Sequence, residues 1–251
     1  MKKKSPQLIV ALDVDSLGEV RTLLDALKGQ VDIFKVGSQL FTGCGPAAVR
    51  FIEAQGKKVF LDLKYHDIPN TVASGVRNAV SLSVAVERSM DVDNRFKPKQ
   101  RGLFMYTVHT CGGEEMMAAA AAAGAKIAEE IGVTKPLVVG VTVLTSEQKK
   151  DNILALVLER ALLAKRAGLD GVVASCHEAQ YLRKEFGDEL VIVTPGIRPQ
   201  GEDAQDQKRV ATPREAVESG SDYLVVGRPI VKAANPYAAA KSILSEIESV
   251  K

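Results

Sequence analysis

Nowhere does the sequence approach the roughly 20 consecutive apolar residues of a membrane span. Its basic start, MKKKSPQLIVALDVD, is cut by Asp13 too early for the apolar segment of a secretion signal, so a cytoplasmic protein is expected. Charge of one sign is also scarce: a formal net charge of +2 creates no field that would imply nucleic acid as a partner. Cysteine is limited to Cys44, Cys111 and Cys176, far apart and without a C-x-x-C spacing. That argues against a disulfide framework and a structural zinc site, and leaves reduced, half-buried thiols as the expectation.

What remains is an ordinary globular composition, 46% hydrophobic and 25% charged, over 251 residues. This length suits one α/β barrel and is short for two full domains, so residues 1–251 are read as one domain. Eight β-rich runs cross it: 7–14, 31–37, 58–64, 103–109, 136–143, 170–175, 189–196 and 222–228. Helical stretches alternate with them at 16–28, 44–55, 71–86, 113–130, 152–167, 177–186, 212–219 and 236–249, several preceded by Ser, Asn or Thr as a candidate N-cap. Strict β, α alternation implies a parallel sheet, and eight units favour a closed (β/α)8 barrel, the TIM barrel, over an open doubly wound sheet. The polar segment 87–101, ERSMDVDNRFKPKQR, reads as a surface excursion, and the Ala-rich run from 118 as a tightly packed barrel helix.

In such a barrel the C-terminal strand ends and the loops after them build the active site. Polar residues gather there: Asp13, Lys35, Asp62 with Lys64, His109, Thr145, Arg198, and Gly227 with Arg228. Side chains alternate along a strand, so Phe60, Asp62 and Lys64 share the inward face while Leu61 and Leu63 lie under the helices. Asp13 and Lys35 face inward by the same rule. Desolvating so many ions is expensive, and pairing recovers on the order of 4 kcal/mol per contact at an effective dielectric of 20, so packing alone does not account for the cluster. Catalytic pre-organisation does. Downstream, TPGIRPQGEDAQDQKRV (194–210) and VVGRPI (225–230) follow strands seven and eight, the recurrent phosphate site of these barrels, and supply Arg198, Gln207, Gly227 and Arg228. A phosphorylated small molecule is the leading ligand class.

The strings ALDVD, FKVG, DLKYHDIPNT, VHTCGG, VTVLTS, TPGIRPQG and VVGRPI, in this order, closely resemble the orotidine 5'-phosphate decarboxylase family along nearly the whole chain. The resemblance implies a metal-independent, cofactor-free lyase that converts orotidine 5'-monophosphate to UMP and CO2. It implies a homodimer with shared active sites. By matching positions, Asp13 and Lys35 would serve the ribose hydroxyls and the charge network, Asp62 would sit beside the substrate carboxylate, and Lys64 would donate the proton to C6. Asp67 and Thr71 would reach into the partner's site, Thr145 would contact the pyrimidine, and Arg198, Gln207, Gly227 and Arg228 would hold the 5'-phosphate. Two features depart from the family pattern: the segment from about 81 to 101 is long, and the stretch after Thr145 is short.

His66, His109 and Cys111 raise a metal reading, but His109 suits a packed, hydrogen-bonded role, so no metal is expected. A sister group of sugar-phosphate decarboxylases and aldolases shares a D-x-K-x-x-D pattern and uses Mg2+; the DIPNT continuation argues against it. A non-catalytic phosphate binder on the same fold would need the phosphate loops but not Lys64 between two aspartates.

Overall fold

A computed structural model of the chain describes residues 6–82, 102–144, 152–199 and 210–250. Its strands are β1 (Gln7–Ala11), β2 (Ile33–Gly37), β3 (Lys58–Tyr65), β4 (Met105–His109), β5 (Leu137–Val141), β6 (Gly171–Val173), β7 (Val191–Thr194) and β8 (Tyr223–Val226). Each pairs in parallel with the next, and β8 returns to β1, giving the closed barrel expected from the alternation. The expected excursion at 87–101, Thr145 with the stretch after it to 151, and Gln207 lie outside the described residues.

The strands are apolar on both sides because both faces of a parallel barrel are covered. Ile9, Ile33, Phe60, Met105, Val139, Val193 and Val225 fill the barrel interior. The alternate residues, among them Val10, Phe34, Leu61, Tyr106 and Leu224, form the larger layer between sheet and helices. The helices that cover it are α1 (Leu17–Ala26), α2 (Ser38–Cys44), α3 (Pro46–Ala54), α4 (Pro69–Val80), α5 (Gly113–Ile131), α6 (Ile153–Arg166), α7 (Cys176–Phe186), α8 (Pro213–Glu218), α9 (Arg228–Val231) and α10 (Pro236–Ser249).

Their starts are chemically marked. Ser16 accepts from the Glu19 N–H at α1, Asn235 from the Ala238 N–H at α10, and Thr212 with Glu215 forms a reciprocal capping box at α8. The Ala-rich α5 packs as expected: Ala120, Ala123 and Gly124 are buried, and the Tyr106 hydroxyl donates to the Ala120 carbonyl at 3.0 Å. Burial, with Asp170 and Tyr65 nearby, raises the Tyr106 phenol well above its ordinary range.

Three expectations need correction. The helix expected at 44–55 is α3, and a further helix, α2, precedes it at Ser38–Cys44 where none was expected; Gly45 at φ 58° stops α2 and Pro46 starts α3. All strands but β3 are shorter than their apolar runs, so Asp13 lies two residues beyond β1 and Arg228 beyond β8. Arg228 instead opens the short α9, which the apolar pattern did not separate from strand eight.

Candidate active site

The strand ends converge on one cavity of about 230 Å3, lined by Asp13, Lys35, Asp62, Lys64, Arg198, Gly227 and Arg228 together with apolar residues. The charges are unevenly distributed. The loop after β1, with β2 and β3, supplies the two aspartates and two lysines, whereas Val141, Val143, Leu144, Val173 and Val193 make an apolar wall from β5 to β7. Arg198 enters from the loop after β7 and Arg228 from the first turn of α9, so a single ligand in this cavity would meet a charged side, an apolar side and a cationic end.

Asp62 is the centre of the charged side. The Lys64 ammonium donates to both of its oxygens at 2.9 Å, and Lys35 bridges its Oδ2 at 3.6 Å to Asp13 Oδ1 at 3.3 Å. The order is therefore Asp13, Lys35, Asp62, Lys64, alternating in sign. Burial by itself would raise the Asp62 carboxyl, but the Lys35 and Lys64 ammoniums, with hydrogen bonds from Lys64 and Thr107, outweigh it and hold the group below its ordinary value. The Asp62 side chain is 12% exposed and that of Lys64 38%, so the carboxylate is enclosed while the ammonium it holds reaches solvent.

Simple alternation does not fully describe how β3 delivers this pair. Leu61 pairs with Tyr106 on β4, but the next register pair is Tyr65 with Val108, so residues 62–64 face only Thr107. Across this bulge Lys64 takes φ 51°, the one positive value for a non-glycine residue among the described residues. Such a conformation costs roughly 1–3 kcal/mol and persists only where neighbours enforce it. Sequence reasoning missed two residues here. Thr107, buried in β4, accepts from the Lys64 N–H at 2.8 Å and donates to Asp62 Oδ1 at 3.0 Å. Gly37 leaves space for the lysine: a Cβ there would come within 2.8 Å of Lys35 Nζ. The FKVG string contained the second signal; the first depends on the register between two strands.

Asp67 and Thr71 do not line this cavity. Both are exposed, at the loop after β3 and the first turn of α4, beside Ile68, which is 66% exposed. Asp67 Oδ1 accepts from the Ile68 N–H at 2.6 Å. His66 and His109 stack at 5.6 Å, and the Cys111 thiol lies 2.8 Å from His109 Nδ1. Among the described residues no group of three or more His, Cys, Asp or Glu side chains is arranged to hold a metal. Arg198 is largely buried, with its guanidinium donating to the Ile197 carbonyl at 2.8 Å.

A closed parallel barrel with an ion chain at the C-terminal ends of its first three strands, and arginines after its last two, defines a small-molecule enzyme that takes an anionic ligand. Residues 6–243 match the family described as "Orotidine 5'-phosphate decarboxylase / HUMPS family", and the chain belongs to it. A protein of Moorella thermoacetica named orotidine 5'-phosphate decarboxylase is 45% identical over 98% of this chain and 93% of its own length. One of Vibrio cholerae with the same name is 44% identical over 97% of each. Among solved structures, orotidine 5'-phosphate decarboxylase from Lactobacillus acidophilus superposes with a TM-score of 0.76 at 34% identity, covering 96% of this chain and 99% of that one.

Proposed function

We infer that the chain decarboxylates orotidine 5'-monophosphate to UMP and CO2 in pyrimidine biosynthesis, without a metal or organic cofactor. Family membership and relatives that bear this name over almost their full length support the activity. The observation that carries the mechanism is the Lys64 ammonium held on both oxygens of enclosed Asp62.

The three-sided cavity supports one orientation of the substrate. Arg198, Arg228 and Gly227 hold the 5'-phosphate, the pyrimidine lies along the valine wall, and Asp13 and Lys35 meet the ribose hydroxyls; Gln207 and Thr145, outside the described residues, keep the phosphate and pyrimidine roles that the family resemblance implies. C6 and its carboxylate then lie at Asp62 and Lys64. When the bond from C6 to the carboxylate carbon breaks, CO2 leaves and the electron pair stays on C6. An ammonium already oriented at that atom stabilises the developing charge and then transfers its proton to C6. The solvent-reaching side of Lys64 provides a route for its reprotonation. Asp62 contributes by fixing the ammonium.

Asp67 and Thr71 belong to this reading as contributions to a partner's site in a homodimer. Their exposure beside Ile68, outside their own chain's cavity, supports that assignment. The free state of all three cysteines accords with a cytoplasmic enzyme. Lys64→Ala tests the whole reading: it abolishes turnover of orotidine 5'-monophosphate while UMP still binds. Retained turnover would refute it.

A further inference from the structure

The gap in the β3 and β4 ladder is filled by one side chain. Thr107 is fully buried and does not line the cavity, so it reaches a ligand only through its neighbours. Its single hydroxyl is used twice: as acceptor for the backbone N–H of Lys64 and as donor to Asp62 Oδ1. These two bonds tie the strained backbone of the lysine to the carboxylate that orients its ammonium. Without the hydroxyl, the Lys64 N–H loses its partner at the point where φ is positive, and Asp62 Oδ1 loses the donor it shares with the Lys64 ammonium.

On the reading that Lys64 is the proton donor, we propose that Thr107 is a positioning residue of the decarboxylation, setting Lys64 and Asp62 relative to each other through one bifunctional hydroxyl. A hydrophobic residue of the same shape would fill the space and keep the barrel closed, so the role is separable from packing. The loss should fall on kcat, because the phosphate and pyrimidine contacts lie elsewhere in the cavity.

The experiment compares Thr107→Val and Thr107→Ser with the unsubstituted enzyme, measuring kcat for orotidine 5'-monophosphate, the Kd of UMP and Tm. Valine removes the hydroxyl and is expected to lower kcat on the order of 10- to 100-fold, as for a hydrogen bond to a charged group, with the Kd of UMP within about threefold. Serine restores the oxygen and is expected to recover kcat to within about threefold. If the valine variant does not fold, Thr107→Ala against Thr107→Ser makes the same one-oxygen comparison. Undiminished kcat without the hydroxyl, equal losses with and without it, or a loss matched by weaker UMP binding would each overturn the inference. Absence of turnover in the unsubstituted enzyme would overturn the decarboxylase reading and this inference together; turnover there with an unaffected valine variant would overturn this inference alone.

Discussion

Replacing Asp62 by Asn keeps the shape of the side chain and removes only its charge, and the surrounding hydrogen bonds set the cost. Oδ1 receives Lys64 and Thr107, and Oδ2 receives Lys64 with Lys35 beyond it at 3.6 Å. An amide with its oxygen toward Thr107 turns its NH2 against two ammoniums. The flipped amide turns its NH2 toward Thr107 and the Lys64 ammonium, and leaves the Thr107 hydroxyl proton without an acceptor on the side chain. Neither orientation satisfies every donor. The gross attraction lost at the 2.9 Å contact is ~6 kcal/mol at an effective dielectric of 20. Relief from desolvating the carboxylate offsets part of this, and removing one member of an enclosed ion pair costs about 3–5 kcal/mol net. The lower end applies because Lys64 is 38% exposed and can turn toward water. About 3 kcal/mol corresponds to a fall in kcat on the order of 100-fold, and to a Tm lower by roughly 6–12 °C for a chain of this size. The assay is the ultraviolet absorbance change on decarboxylation, with Tm from circular dichroism. The sign of the Asp62 shift fixes the pH dependence. The folded carboxyl lies below its ordinary value, so its stabilisation is complete above the unfolded value of about 3.9 and is lost as pH falls through the folded value. The Tm difference between the two proteins should therefore hold from roughly pH 5 to 8 and narrow below about pH 4. An Asn variant within threefold of the unsubstituted kcat would refute the ion-chain argument.

Two other substitutions test the phosphate site and the barrel separately. Arg228→Ala should lower kcat as well as raise KM, by at least tenfold in kcat/KM, because binding energy at a remote phosphate is used to orient the reacting centre; unchanged steady-state kinetics would reject the assignment. Gly171→Ala should destabilise the fold without touching the cavity, since a Cβ there would overlap the Val191 carbonyl oxygen across the β6 and β7 pairing; a loss of about 1–3 kcal/mol in denaturant unfolding is expected, and an unaltered midpoint would contradict the close approach.

The barrel was legible in the sequence because strands buried on both faces read as continuous apolar runs, and Lys35, Asp62 and Lys64 fall toward the C-terminal ends of theirs, where a barrel builds its site. Asp62, Lys64 and Lys35 stood out for that reason. The break between α2 and α3 was signalled by Gly45 and Pro46, but a 7-residue helix before it offers too little periodicity to separate from a loop. Thr107 carried no such signal. It is one threonine in an apolar strand, and its importance arises from a register slip between β3 and β4, a property of two strands together. The left-handed backbone at Lys64 has the same origin. Gly37 is an intermediate case: its position after Lys35 was visible, but the approach of the ammonium to its Cα is a three-dimensional fact.

The most direct test mixes the purified protein with orotidine 5'-monophosphate in excess chelator and monitors the ultraviolet absorbance. Conversion to UMP at an undiminished rate is the predicted result, since the charge stabilisation and the proton both come from Lys64. No conversion, or conversion only when Mg2+ is restored, would contradict the account and transfer the role of Asp62 from orienting a lysine to holding a cation.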